Sequence, residues 1–422
     1  MRGNTMIVRW VAVAVFAQLA VAAAAADWPG WRGPTGMGQT DETLPLNWGG
    51  KDGTNVVWKV ALPGVEAKAG QDQNQSSPVV FGDRVFLTAS YWPDKVDAKK
   101  QPEHHVACYR ASDGLRLWDV TVPPGPWTFS DLRGGYTAPT PAVDGERVYV
   151  VFGSAVIAAL DHDGKPVWRK DITPYKFDVA LAASPVLFGE TVILQCDQVD
   201  RESRLIAFDR KTGDVAWEEK RPKVGFAHST PVVAAVGGKP QLLVSASNAL
   251  QGLDPASGKW LWSCAAKGDT VSPVLAGGVV YCDSGRGGPG VAVDPTGSGD
   301  VTKTHQKWTI PVVKEGYSSP VAAGEHLYRL CNPDVLTCVR LATGEEVFSE
   351  RLPGVSAAAS PVATPDGRLY FASAGKSYVV KAGPKLEILA TNDLGDGGPA
   401  SPAVAGGKLF LKGRKWLFCV GP

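Results

Sequence analysis

A Ser/Thr-Pro dipeptide followed by two apolar residues recurs eight times in this 422-residue chain. The copies are Ser77-Pro78-Val79-Val80, Thr140-Pro141-Ala142-Val143, Ser184-Pro185-Val186-Leu187 and Thr230-Pro231-Val232-Val233, then Ser272-Pro273-Val274-Leu275, Ser319-Pro320-Val321-Ala322, Ser360-Pro361-Val362-Ala363 and Ser401-Pro402-Ala403-Val404. After a first interval of 63 residues the steps are 44, 46, 42, 47, 41 and 41. Self-similarity in the low forties means a stack of supersecondary units, none of which buries its own core alone.

Each unit reads as four short strands. The apolar run after Ser/Thr-Pro is the first, and Pro is tolerated there because the first strand residue need not donate to a ladder. A Gly-Asp or Gly-Gly turn such as Gly82-Asp83 or Gly277-Gly278 leads to the second. The third and fourth flank an eleven-residue pattern whose best copy runs from Ala207 to Trp217. Asp209 and Thr212 suit the turn amides, and Gly213 supplies the positive φ of a tight hairpin. The Trp closing the pattern offers a large surface for packing one sheet on the next. Trp118, Trp168, Trp262 and Trp308 are expected at the same blade-docking place as Trp217, whereas Phe348 replaces it in the sixth copy and the seventh has lost it.

The eighth unit starts at Ser401, and the sequence ends at Pro422 before any Trp strand. A strand that fits the gap lies at the front, from Asn55 to Leu62 around Trp58. Pairing it with the last unit closes a ring and removes the open sheet edges. The expected fold is therefore all-β: an eight-bladed β-propeller of four-stranded blades spanning 55–422, its last blade closed by the N-terminal strand. Residues 27–54 are read as an N-terminal extension packing on it.

Residues 1–26 read as a signal peptide. Arg2 and Arg9 accompany an apolar run from Trp10 to Ala26, and Ala24-Ala25-Ala26 offers a cleavage site before Asp27. The expected location is periplasmic or secreted, with no obligatory membrane anchor. The 43 basic and 42 acidic residues argue against nucleic acid as a partner. Seven cysteines, an odd count, sit mostly within strand patterns as small hydrophobes. Cys331 and Cys338 flank a hairpin, so a bridge between them stands as an alternative to two buried thiols.

The Asp-x-x-Thr-Gly-x-x-x-Trp hairpin and the Ser-Pro strand before it resemble the blades of eight-bladed propellers related to pyrroloquinoline quinone (PQQ) dehydrogenases. The resemblance covers Asn55 to Pro422. The opening Trp28-Pro29-Gly30-Trp31-Arg32-Gly33-Pro34 is similar to the start of exported bacterial PQQ-like repeat proteins. It implies one of two classes: quinoprotein dehydrogenases, which bind PQQ and Ca²⁺ in the funnel, or non-catalytic propellers like the outer-membrane assembly scaffold, which present loops to protein partners. The chain departs from the catalytic class in lacking a vicinal Cys-Cys pair, long insertions, and carboxylate-rich loops ahead of the innermost strands. It departs from the scaffold in lacking that protein's lipid-anchor cysteine.

Segments just before each Ser/Thr-Pro are expected at one mouth of the ring, because innermost strands converge on the axis. Arg133, Tyr136, His228 and Tyr317 are the candidate ligand-binding residues there, since cationic, aromatic and amide groups converging on a cleft suit a polar ligand or a peptide. His104-His105 reads as surface loop rather than a metal site. No catalytic residue, metal ligand or cofactor is assigned, and PQQ enters by resemblance alone. The leading expectation is an exported, monomeric, non-catalytic binding or scaffold propeller, its partner a protein or small polar ligand of the cell envelope. A PQQ-dependent dehydrogenase-like enzyme and a carbohydrate or cell-wall ligand binder are the alternatives.

Overall fold

A computed structural model describes residues 27–65, 68–128, 131–176, 180–199 and 202–422. The expected signal peptide lies outside the described residues. Eight sheets, antiparallel apart from one added strand in blade 4, form the blades of an all-β propeller, and no helix occurs among the described residues. Blade 1 holds the strands from Val79 to Val122, blade 2 Ala142 to Asp171, blade 3 Val186 to Lys220 and blade 4 Val232 to Ala265. Blades 5 to 8 begin at Val274, Val321, Val362 and Ala403. The strand Val56–Ala61 pairs antiparallel with Trp416–Val420, so the N-terminus supplies the outer strand of blade 8.

The repeated Ser/Thr has a role that its Pro neighbour obscured. Each of these residues donates its backbone N–H to the hydroxyl of its counterpart in the next blade. The chain of bonds runs Ser77→Thr140 (2.9 Å), Thr140→Ser184 (3.0 Å), Ser184→Thr230 (3.0 Å), Thr230→Ser272 (3.1 Å) and Ser272→Ser319 (3.1 Å). Ser319→Ser360 (2.9 Å), Ser360→Ser401 (2.8 Å) and Ser401→Ser77 (3.1 Å) complete the circle. All eight residues are buried. An amide buried on the axis needs an acceptor, and the hydroxyl of the next blade is that acceptor.

At the periphery, the hairpin tryptophans join neighbouring blades. Trp58, Trp118, Trp168 and Trp308 donate Nε1–H to carbonyls of Ala111, His162, Arg210 and Leu341 at 2.8–3.0 Å. A Cβ on Gly114, Gly164, Gly213 or Gly344 would stand 2.4–2.8 Å from the facing indole. Glycine is thus required twice there, for the positive φ of the turn and for the close approach of the ring. Trp217 packs on Gly258 in the same way but is only half-buried, and its Nε1 makes no hydrogen bond.

Trp262 departs from the expected pattern. Its indole turns into its own blade, donating to Gln241 Oε1 at 2.8 Å and closing over Gly252. The cause is a longer hairpin in blade 5, whose residues Gly299–Asp300 add a parallel fifth strand to blade 4 beside Trp262 and Ser263. Where blade 7 has lost its Trp, Ala390 stands in its place, and Trp48 of the N-terminal extension fills the same buried cluster, stacked on Tyr370 at 6.3 Å.

The cysteines follow the buried-thiol expectation, and the histidine pair departs from its surface-loop reading. All seven cysteines are buried free thiols. The register pairs Cys331 with Val335 and Cys338 with Tyr328, so the two never face each other across the hairpin. His104 and His105 lie in the strand Glu103–Arg110, not a loop, and both are buried on opposite faces.

Residues 27–49 cross the end of the ring where innermost strands turn into second strands. Trp28 exchanges both backbone hydrogen bonds with Val80, Pro29 accepts from Val143 N, Gln39 reaches Ala322, and Gly49 bridges Asp393. Arg32 is buried, with a φ of 58°, and its Nη2 donates to Met37 O and Pro320 O. Burial lowers its pKa to about 9, so it stays charged at neutral pH.

Candidate functional site

Strand alternation decides what faces the axis. Side chains two residues apart share a face, so the residue two before each ring Ser/Thr points where the ring hydroxyl points. These eight positions are Gln75, Ala138, Ala182 and His228, followed by Thr270, Tyr317, Ala358 and Pro399. All eight line one cavity of about 430 Å³, together with ring residues Ser184, Thr230, Ser272 and Ser319. Trp31 of the crossing segment forms its floor and donates Nε1–H to Ser272 Oγ at 3.2 Å. The cavity is therefore backed by the N-terminal segment and faces the loops that precede the innermost strands.

Of the four expected residues, Arg133, His228 and Tyr317 line this cavity. Tyr136 does not. It is fully buried, packed edge-on against Trp92 and tilted against His104, because its loop turns outward before reaching the ring. Its amide, with that of Thr137, donates to the buried Asp72. Arg133 stands at the mouth, its guanidinium bound to Asp131, and its carbonyl accepts from Gln75 Nε2 at 2.7 Å. Tyr317 is 47% exposed and donates its hydroxyl to Glu315 at 3.1 Å. His228 is partly accessible. Desolvation, reinforced by the positive charge of Arg286, pushes its pKa down to about 3, so it is a neutral imidazole at physiological pH.

Arg286 was not among the expected site residues. It reaches the cavity from the loop between the second and third strands of blade 5, with its guanidinium carbon 5.5 Å from the centre of the Phe226 ring. Its Nε lies 3.0 Å from Asp269 Oδ2 and 3.3 Å from Thr270 Oγ1. A buried ion pair holds this loop: Asp283 accepts from Gly285 N (2.8 Å) and from Arg329 Nη2 (2.7 Å), while Arg329 also reaches Gly316 O. A second buried pair, Asp197–Arg221, shares a network with Gln195 and Gln251, and Arg221 O accepts from Val224 N. That pair positions the Pro222–Phe226 segment. In the sequence Arg286 stands in the Gly-rich run 285–290, which leads into a strand, and that run is the signal by which it could be found.

The charged residues that line the cavity, among the described residues, are Arg133 and Arg286, with no carboxylate beside them in the lining. Among the described residues, no group of three or more His, Cys, Asp or Glu is placed to hold a metal ion. A metal-bound quinone needs such hard oxygen ligands, and this donor set does not fit one.

The family model for the Outer membrane protein assembly factor BamB matches residues 102–350, more than half of the chain. The chain belongs to this family. Membership in the BamB family agrees with the ring of eight blades. Among solved structures, BamB from Moraxella catarrhalis superposes with a TM-score of 0.59 at 14% identity, covering 87% of this chain and 97% of that one. A europium-containing methanol dehydrogenase superposes with a TM-score of 0.68 at 11% identity, covering 94% of this chain and 89% of that one. At these identities the likeness establishes a shared fold. No curated protein sequence matches the chain.

Proposed function

We propose that this protein is a non-catalytic binding propeller of the cell envelope, exported by its N-terminal signal peptide, which holds a partner at its axial cavity. The observation that carries the reading is the cavity lining. It is concave, half apolar, backed by Trp31, and furnished with neutral His228, Tyr317, Arg133 and Arg286, a constitution suited to recognition. The carboxylates nearby, Asp131, Asp269 and Glu315, are each engaged by Arg133, Arg286 or Tyr317. None is thereby presented as a base or a metal ligand. Family membership supports the same reading, because the BamB named in the family model is an assembly factor.

The test compares wild-type protein with Ala182→Trp, which projects an indole into the cavity from a partly accessible lining position. The mature wild-type protein is expected to retain a defined envelope component that the filled variant loses. Equal retention by both proteins contradicts the reading. Titration with PQQ and Ca²⁺ addresses the dehydrogenase alternative: a ligand at 100 times its dissociation constant stabilises by about 2.7 kcal/mol, readily seen as a thermal shift. No shift is expected.

A further inference from the structure

The hydroxyls at the base of the axial cavity are only half used. Ser184, Thr230, Ser272 and Ser319 line it and are each at most 4% exposed. Each hydroxyl oxygen accepts the N–H of the blade before it at 3.0–3.1 Å. A Ser or Thr hydroxyl also carries one O–H donor, and none of these four donates to another group among the described residues. Nearer the mouth, Gln75 spends its Nε2 on Arg133 O and keeps Oε1 as an acceptor. The ionic groups nearby, by contrast, are compensated in place. Arg133 is bound to Asp131, Arg286 lies 3.0 Å from Asp269, and Glu315 accepts from Tyr317 Oη at 3.1 Å. An incoming anion meets those carboxylates and an incoming cation meets the two guanidinium groups, so the site selects neither sign of charge.

Resting on the binding reading above, we propose that the axial cavity binds a neutral saccharide of one or two rings. The volume, about 430 Å³, falls within the roughly 300–1,000 Å³ of small-molecule sites, and Trp31 closes the far end against a long chain. Sugar hydroxyls both donate and accept, so they satisfy the ring O–H donors and Gln75 Oε1 together. An apolar ligand would leave those buried donors unpaired, at a cost. The C–H face of a sugar ring needs an apolar platform, which Tyr317 offers at the mouth. That ring is 47% exposed, and its polar tip is already held by Glu315. Ala138, Ala182 and Ala358 keep the walls between these groups short, leaving width for a ring.

The experiment is isothermal titration calorimetry of the full mature protein with a panel of neutral mono- and disaccharides. The panel covers hexose, pentose, deoxyhexose and N-acetylhexosamine units, with a hexuronate and a hexosamine as charged comparators. At least one neutral saccharide is expected to bind, with an affinity that salt leaves unchanged. Its charged analogues should bind at least about tenfold more weakly, because their charge is desolvated without a partner. Ala182→Trp should abolish binding. Tyr317→Ala should weaken it about tenfold, the loss of one aromatic contact. Tyr317→Phe should keep it, since the hydroxyl is committed to Glu315. Tyr317 is exposed, so these two variants keep the test decisive even where the filled variant fails to fold. A charged analogue that binds as tightly, a steep salt dependence, or affinity indifferent to Tyr317→Ala would each overturn the proposal. If no saccharide binds, the sugar is refuted, while an envelope component lost on Ala182→Trp would still uphold the reading beneath it.

Discussion

Two circles of eight residues surround the axis, two positions apart in sequence. The inner amide–hydroxyl circle is Ser or Thr in every blade, and it closes by hydrogen bonds between neighbours. The circle beside it, from Gln75 to Pro399, differs from blade to blade, combining Gln, His, Thr and Tyr with Ala and Pro. Both face the same channel. A position that must repeat bears on the next blade, while a position that faces only open space is released from the repeat. Repetition thus marks the construction, and its interruption marks the surface available for a ligand.

The largest effect should come from the repeating part. Trp168 is 9% exposed and donates to Arg210 O at 2.9 Å, so Trp168→Ala should cost about 3–5 kcal/mol in chemical denaturation. Trp217→Ala should cost clearly less, because that ring is less deeply buried and its Nε1 makes no hydrogen bond. Equal losses would show that burial does not set the strength of the docking site.

The seam between blades 8 and 1 should give the next largest response, as a pH dependence. Lys412 is fully buried, and its Nζ donates to Ser76 O, Ser76 Oγ and Thr88 O at 2.7–2.9 Å. Desolvation lowers its pKa from 10.5 to about 7, against the opposing charge of Asp72. Its stabilising contribution is present above the unfolded pKa and is lost as pH falls from about 10.5 through about 7. Asp72 moves the other way, raised from 3.8 to about 6 mainly by burial. Its contribution is present at low pH and is lost as pH rises through about 6. The joint contribution of this pair should therefore be lowest between about pH 6 and 7. Lys412→Met should flatten the alkaline arm, and an unchanged arm would place the titration elsewhere.

Within the amide–hydroxyl circle, Ser319→Ala leaves the buried Ser272 N–H without its acceptor, a loss of about 1–3 kcal/mol by urea unfolding. The smallest effect belongs to the other circle. Ala358→Ser changes a side chain that meets only the cavity, and its unfolding free energy should stay within about 0.5 kcal/mol of wild type. A large loss there would erase the distinction between the two circles.

Much of this was legible in the sequence, for a physical reason. A hairpin whose Gly needs positive φ and close approach, followed by a docking Trp, leaves a local pattern at fixed spacing, so blade number and closure by the strand around Trp58 follow from counting. Trp262 escaped because its fate depends on Gly299, a residue of the next blade's longer hairpin. The cavity was legible only in part. His228 and Tyr317 stand two residues before a ring Ser/Thr, a rule the repeat itself contains, while Tyr136 stands four before Thr140 and is buried. Arg286 enters from a different loop, and its placement rests on the Asp283–Arg329 pair, whose members are 46 residues apart. No local pattern announces such a contact.

The separation of construction from recognition is tested most directly by a triple variant, His228→Ala, Thr270→Ala and Tyr317→Ala, taken through chemical denaturation and retention of the envelope component on the same sample. The account predicts an unfolding midpoint close to wild type together with loss of binding. A collapsed midpoint with binding retained in the folded fraction would contradict it.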